Sequence, residues 1–466
     1  MNPRRLFTET PPLRLFFRAS LPGAVGMLAS ALWQLLDGIF VGRFLGDTAF
    51  AALNLAMPLV IINFSLADLI GVGASVPISI SLGRKRDREA DNIFTCACIL
   101  IVLTGAALGA ALFAGAPLFI RLMGAEGEFA RLAVQYLRVS ALCAPLTTIV
   151  FAVDNFLRIC GKIRRSMVLN ILMAVLISVL EFVFLHELRF GLWGAALATN
   201  TGMFVAALLA LAPFWARKLQ LRFCRPKFSR PMIRQIVTCG APNFLNNIAG
   251  RLTSILMNVV LVRLGGESAV SVYGILMYVE GFIQPLLYGM CDSLQPAVGY
   301  NWGAGLRGRV RAIERCCFTA ACIVSLVSAV CIAAFPSGIT RMFMADADGA
   351  FLSMAGTALR LFALTYLTRW FSFATQSYML AIEKSAPAAW ISVSAALLFP
   401  VALVALLWPL GLTGLWLNFA GSSLLAGVLS VAVMLRMRRE LSRPDAPLPD
   451  AAEGVLPSVP WNENPG

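Results

Sequence analysis

Long apolar runs follow one another from residue 15 to residue 435, separated by short polar or basic segments. A helix needs ~20 consecutive apolar residues to cross the hydrocarbon core of a bilayer. Runs of that kind occur near residues 15–43, 49–81, 92–120, 129–157, 166–186 and 191–216, and again near 233–262, 269–301, 312–340, 350–381, 387–409 and 411–435. The pattern predicts an all-α polytopic membrane protein with twelve transmembrane helices. Runs longer than one span are expected to tilt or to extend into water. Pro58, Pro77, Pro285, Pro296 and Pro400 fall inside runs. Membrane helices tolerate such prolines where neighbours satisfy the freed carbonyls, so they mark expected bends.

The two sets of runs are copies of each other. At a constant offset of 220 residues, Pro22 matches Pro242, Arg43 matches Arg263 and Gly46 matches Gly266. Asp47 matches Glu267, Ala49 matches Ala269 and Gly83 matches Gly303. Gly191-Leu-Trp-Gly194 matches Gly411-Leu-Thr-Gly414 in the same register. An even number of helices per copy gives both copies one orientation. Two six-helix bundles related by a pseudo-two-fold axis along the membrane normal are therefore expected. Two such lobes enclose a cleft that rocking opens to either side, which by analogy of fold is the geometry of a transporter. The expected parts are a segment 1–14, a lobe 15–216, a linker 217–232, a lobe 233–436 and a tail 437–466. Pro444, Pro447, Pro449, Pro457, Pro460 and Pro465 punctuate the polar tail, which is expected to be disordered.

Composition agrees with a lipid solvent. Of 466 residues, 59% are hydrophobic and 13% charged, with a mean hydropathy of +0.79. A soluble chain carries roughly a quarter charged residues. The net charge of +14 is spread in small clusters between runs. It reads as a topology signal rather than a basic nucleic-acid domain. Twenty-eight Lys and Arg residues fall on the side of Arg4, Arg84, Arg158, Lys162, the linker, Arg307 and Arg436, against six on the other. That asymmetry places both termini, the linker and the tail in the cytoplasm. Thr8-Glu9-Thr10-Pro11-Pro12 interrupts any secretory h-region. The eleven cysteines lack metal or redox spacing, and the single His186 is expected in a loop, so no metal site is expected.

Ionisable residues inside a membrane are costly and mark ion or substrate paths. Asp37 lies near the middle of the first run, and its counterpart is Met257. Such an acid belongs to one lobe only. Gln34, one turn earlier, is expected to share a proton or hydrogen bond with it. Glu181 lies in the fifth run; beside Asp37 it would titrate as one of a coupled pair. Asp68, Asp154, Glu280 and Asp292 are also intramembrane and are expected to touch substrate or to pair with Arg138, Arg251, Arg360 or Arg369. Trp33, Tyr273, Phe282 and Tyr288 are expected to pack.

The run Asp37-Gly-Ile-Phe-Val-Gly-Arg-Phe-Leu-Gly46, with Ala49 and Ala51-Ala-Leu53, resembles the first-helix signature of the multidrug and toxic compound extrusion (MATE) family. So do Gly71-Val-Gly-Ala-Ser75, Ser81-Leu-Gly83, Leu157-Arg-Ile-Cys-Gly161, Gly191-Leu-Trp-Gly-Ala-Ala-Leu-Ala-Thr199 and Gln295-Pro-Ala-Val-Gly-Tyr-Asn-Trp-Gly-Ala304. The resemblance covers residues 15–435 and is nearest to the DNA-damage-inducible type of prokaryotic member. It implies export of organic, often cationic, drugs or metabolites against inward proton or sodium flow, by a monomer in the bacterial inner membrane. No cofactor beyond the coupling ion is expected, and the residues form no enzyme constellation. Asp37 falls on the family's first-helix coupling acid, Glu181 on its fifth-helix acid, usually Asp, and Thr199 on a sixth-helix threonine of the same cluster. Ile177 stands where such members usually carry Asn, which removes a neutral oxygen of the kind sodium favours. Protons are therefore expected, with sodium as the alternative. Val393-Ser394 replaces the Arg-Gln of many members, so nothing carries over there. A lipid-linked precursor flippase of the same superfamily and a non-transporting receptor are the competing functions.

Overall fold

The structure is a computed structural model that describes residues 3–344 and 348–441. The stretch 442–466 of the expected tail lies outside the described residues; residues 437–441 continue the last helix. After a short helix, Pro3–Glu9, the first lobe runs α1 (Pro12–Leu45), α2 (Asp47–Gly83), α3 (Asp87–Leu122), α4 (Gly127–Ile159), α5 (Ile163–Glu187) and α6 (Leu192–Trp215). The second runs α7 (230–265), α8 (267–303), α9 (Arg307–Ala334), α10 (Gly349–Ala381), α11 (Ser385–Leu406) and α12 (Gly411–Leu441). The stretch Arg230–Gly303 is continuous but turns at Gly266, whose φ of 63° and ψ of −155° are not helical. It is two spans, giving twelve among the described residues.

The backbone carries the repeat. Gly46 and Gly266 have φ of 83° and 63°, and Gly191 and Gly411 have 75° and 59°. Lys85 and Gly305, again 220 apart, have 62° and 77°. A residue with a Cβ is disfavoured at these angles; the first two pairs keep glycine in both copies and so fix the same turn, while at the third Lys85 takes the angle in the first copy and glycine in the second.

Helix ends and bends follow local chemistry. Pro12 and Pro231 sit in first turns, where no N–H is needed. The Ser229 hydroxyl accepts from the Met232 amide at 3.4 Å and caps α7. Pro400 cannot donate to the carbonyl four residues back, and α11 carries a π-turn over Ser394–Leu398. The freed Ala396 carbonyl instead accepts from the Thr253 hydroxyl of α7 at 2.5 Å.

Glycines bring the lobes together. A Cβ on Gly83 would lie 2.2 Å from the Tyr300 carbonyl oxygen, and one on Gly303 would lie 2.2 Å from that of Ile80. These are one contact seen from both sides of the pseudo-two-fold axis. Deeper in, Gly23 of α1 meets Gly289 and Ser293 of α8, while Gly240 of α7 meets Leu69 of α2. The Ser20 hydroxyl donates to the Met290 carbonyl at 3.1 Å. The helix Pro3–Glu9 closes the same end. Phe7 is fully buried, 5.6 Å from the Tyr300 ring, and its carbonyl accepts from Asn301 Nδ2 and Arg309 Nε, each at 3.0 Å.

Candidate functional site

Asp37 is 3% exposed although its neighbours Leu35, Leu36 and Ile39 are open, so it faces into the first lobe. Across from it, Glu181 of α5 is fully buried, two residues before the helix loosens into a π-turn over Val183–Glu187. The two carboxyl groups meet at hydrogen-bond contact. Thr199 of α6 donates its hydroxyl to Glu181 Oε1 at 3.0 Å. Asp37 Oδ1 and Glu181 Oε2 are buried and receive no donor among the described residues. A buried acceptor left unpaired costs ~1–3 kcal/mol, and a proton placed between the carboxyls would remove that penalty.

The walls of this cluster are specific. Tyr136 of α4 is buried within electrostatic reach of both acids, its hydroxyl directed to Met57 Sδ at 3.7 Å. Asn200, next to Thr199, accepts from the Thr147 hydroxyl at 3.3 Å and donates to the Ala196 carbonyl at 2.7 Å. Ile177, one turn before Glu181, is buried against Gly202; a Cβ there would lie 2.3 Å from its Cγ1. At an offset of 220, Asp37, Glu181 and Thr199 correspond to Met257, Val401 and Phe419. The second lobe has no such cluster at equivalent positions.

Of the four residues expected around the coupling ion, the structure brings together Asp37, Glu181 and Thr199. Gln34 is exposed and makes no hydrogen bond among the described residues. The four expected substrate acids divide. Asp154 of α4 accepts from Arg158 Nη2 at 2.5 Å, from Asn170 Nδ2 at 3.1 Å and from the Ser166 hydroxyl. Asp292 of α8 accepts from Gln295 Nε2 at 2.8 Å and the Ser377 hydroxyl at 3.0 Å. Asp68 of α2 has no hydrogen-bond partner among the described residues but lies in the field of Asp292, Arg158 and Asp154. These three acids gather where the lobes meet, and Arg158 Nη1 reaches Ser293 Oγ across the junction at 3.4 Å. Glu280 stands apart, paired with Arg369 inside the second lobe.

Other expectations need adjusting. Arg158, counted with the solvated cytoplasmic charges, is 3% exposed and belongs to the junction. Its i,i+4 spacing from Asp154 was the signal that could have found it. Arg138 lies over the Phe113 ring, 5.4 Å from its centroid. Arg251 and Arg360 have no acidic partner among the described residues. His186 sits in the π-turn rather than a loop, stacked on Phe182 and 2.9 Å from Glu187. Phe282 is 53% exposed, so it does not pack inside the bundle. Tyr136, Thr147 and Asn200 were not singled out by the sequence.

A family model described as MatE matches residues 22–183 and 242–406, one block in each lobe. The chain is 26% identical over 363 residues to "Multidrug export protein MepA" of Staphylococcus aureus (strain MRSA252), covering 76% of this chain and 78% of that protein. It is 25% identical over 359 residues to the protein of the same name from Staphylococcus saprophyticus, with the same coverages of 76% and 78%. Among solved structures it is similar to "Outward-facing conformation of a multidrug resistance MATE family transporter of the MOP superfamily". The TM-score is 0.89 at 23% identity, over 95% of this chain and 99% of that one. "Crystal structure of MATE in complex with MaL6" gives a TM-score of 0.88 at 23% identity, over 95% and 99%. At these identities the structural likeness concerns the fold.

Proposed function

The chain belongs to the MatE family, and on that premise we propose that it is a proton-driven exporter of small organic cations, working by alternating access in a bacterial cytoplasmic membrane. The observation that carries the reading is the Asp37–Glu181 pair. Two carboxyls meet in the interior of one lobe with one oxygen of each unpaired, beside a threonine that holds Glu181 in place. A neutral pair holds protons; an ionised pair attracts a cation. The two occupants therefore exclude each other, which is the requirement of antiport. The names of the staphylococcal relatives support multidrug cargo.

The lobes touch at the end bearing the basic loops, which the charge asymmetry places inside the cell. With that end sealed, the cleft faces outward. Protons entering from outside neutralise Asp37 and Glu181, and the cation leaves. Return of the lobes then presents the acids to the cytoplasm, where they release protons and accept the next cation. Asp68, Asp154 and Asp292, gathered at the lobe junction, lend the inner end of that path a negative field. Exchanging one proton for one monovalent cation moves no net charge. Two protons per cation add ~2.3 kcal/mol per 100 mV of membrane potential, and two acids permit that count. Ile177, packed on Gly202 where a neutral oxygen would help sodium, favours protons.

The test uses inside-out vesicles with an imposed pH gradient. Addition of a cationic dye should collapse the gradient in the wild type. If Asp37→Asn collapses it at the wild-type rate, the coupling role is wrong. A sodium gradient driving the wild type as well as a proton gradient would overturn the choice of ion.

A further inference from the structure

A groove of about 1220 Å³ opens between the start of α7 and the turn that joins α10 to α11. Small-molecule pockets are ~300–1,000 Å³, so this space suits a length of chain better than a compact ligand. Phe228, Ile233 and Val237 make its apolar wall, and Arg230 and Arg234 its rim. Both arginines are exposed, and their guanidinium groups form no hydrogen bond or ion pair among the described residues. The acid in the groove, Glu383, is engaged by the Gln235 amide. Two positive charges are thus left beside an apolar trough.

The chain itself supplies a complementary segment. Residues 442–466 contain Asp445, Asp450, Glu453 and Glu463 against the single Arg443, interleaved with Val455, Leu456 and Trp461. The helix that precedes it, α12, ends beside the groove. Glu440, in the last turn of α12, pairs at 2.7 Å with Lys384, the residue between the groove-lining Glu383 and Ser385. Extended chain spans ~3.3–3.6 Å per residue, so the first acids after Leu441 are within reach of Arg230 and Arg234.

We infer that residues 442–466 dock in this groove, acids on Arg230 and Arg234 and apolar side chains on Phe228 and Val237. The docked segment braces α7 against the α10–α11 turn. It does so on the same helix that contacts α2 through Gly240. The inference depends on neither the cargo nor the coupling ion.

The experiment places a photo-crosslinking benzoylphenylalanine at Leu456 of the full chain in phosphatidylcholine vesicles, and maps the crosslinks by mass spectrometry. Crosslinks should fall within residues 228–239. They should drop about fivefold or more in Arg230→Glu/Arg234→Glu. Adding Asp445→Arg, Asp450→Arg and Glu453→Arg to that variant should restore them, which also shows that the charge-reversed protein folds. Arg436→Ala/Arg438→Ala, on the helix that bears the segment, should leave them unchanged. Crosslinks elsewhere, or a yield indifferent to charge reversal, would overturn the inference. Loss of crosslinks on adding phosphatidylglycerol would make the groove an anionic headgroup site and overturn it equally.

Discussion

Asp37 of α1 and Glu181 of α5 bring their carboxyl groups into contact in the interior of the first lobe, where each keeps one oxygen without a donor. Replacing either acid by its amide should separate folding from coupling. Asp37→Asn removes a proton carrier but keeps the shape and can donate to Glu181. Dye-induced proton flux is expected to fall by roughly tenfold or more, because intramembrane acids mark ion paths and Glu181, tied to Thr199, is left as the single carboxyl of the pair. The melting temperature in detergent should stay at or above that of the wild type. A variant that melts far lower while flux per folded molecule is intact would contradict this role.

The pair also sets an expectation about voltage. With two protons per monovalent cation, transport by the wild type should quicken when the inside is made negative, by a driving force of ~2.3 kcal/mol per 100 mV. Glu181→Gln leaves one proton carrier, so the voltage dependence should vanish while the pH dependence persists. Dye flux in proteoliposomes clamped with potassium and valinomycin measures both.

Ile177 tests the choice of ion. Ile177→Asn places an amide oxygen one turn before Glu181, and the absence of a side chain on Gly202 leaves room for it. Sodium should then stimulate transport at fixed pH, an effect absent from the wild type. Equal sodium responses in the two proteins would count against the coordination argument.

The glycine seal makes a conformational prediction. A methyl group on Gly83 would lie 2.2 Å from the Tyr300 carbonyl oxygen. Overpacking of this kind costs typically ~1–3 kcal/mol, and the lobes can avoid it by parting. Gly83→Ala should therefore shift the protein towards opening at the basic end. Labelling of a cysteine introduced at Ser79 by a membrane-impermeant maleimide, applied from the cytoplasmic side, should accelerate. Unchanged labelling would mean that the contact does not hold the seal.

A fifth residue tests the bend of α11. Thr253→Val deprives the Ala396 carbonyl, freed by Pro400, of its donor. Interhelical hydrogen bonds in membranes contribute about 0.6–2 kcal/mol, so thermal stability should drop by that amount. Thr253→Ser should restore it.

Helix number, the two-lobe division and the repeat could be read from the chain because each rests on a long-range regularity. Apolar run length is set by the bilayer, and the register of 220 survives in glycines whose φ values admit little else. Asp37 and Glu181 stood out because charge inside an apolar run is rare. Tyr136 and Asn200 did not, since a tyrosine or asparagine in a helix is compatible with packing alone. Arg158 was misread for a related reason. Counting basic residues near helix ends does not distinguish a solvated arginine from one folded back onto an aspartate a turn away. Gln34 shows the converse limit, because sharing a helical stripe with Asp37 did not keep it buried.

Gly46 and Gly266, like Gly191 and Gly411, hold the same positive-φ turn in each copy, while Asp37 and Glu181 correspond to Met257 and Val401 in the repeat. The two kinds of position respond oppositely to mutational drift after duplication. At the turns, gaining a side chain costs ~1–3 kcal/mol in either copy, so glycine is favoured in both. At the acids, exchanging a carboxylate for a methionine or valine removes an insertion cost of ~2.5–3.5 kcal/mol. A copy relieved of ion binding thus drifts downhill towards oil. The contrast is legible in the chain: its glycine turns stand in both copies and its paired acids in one.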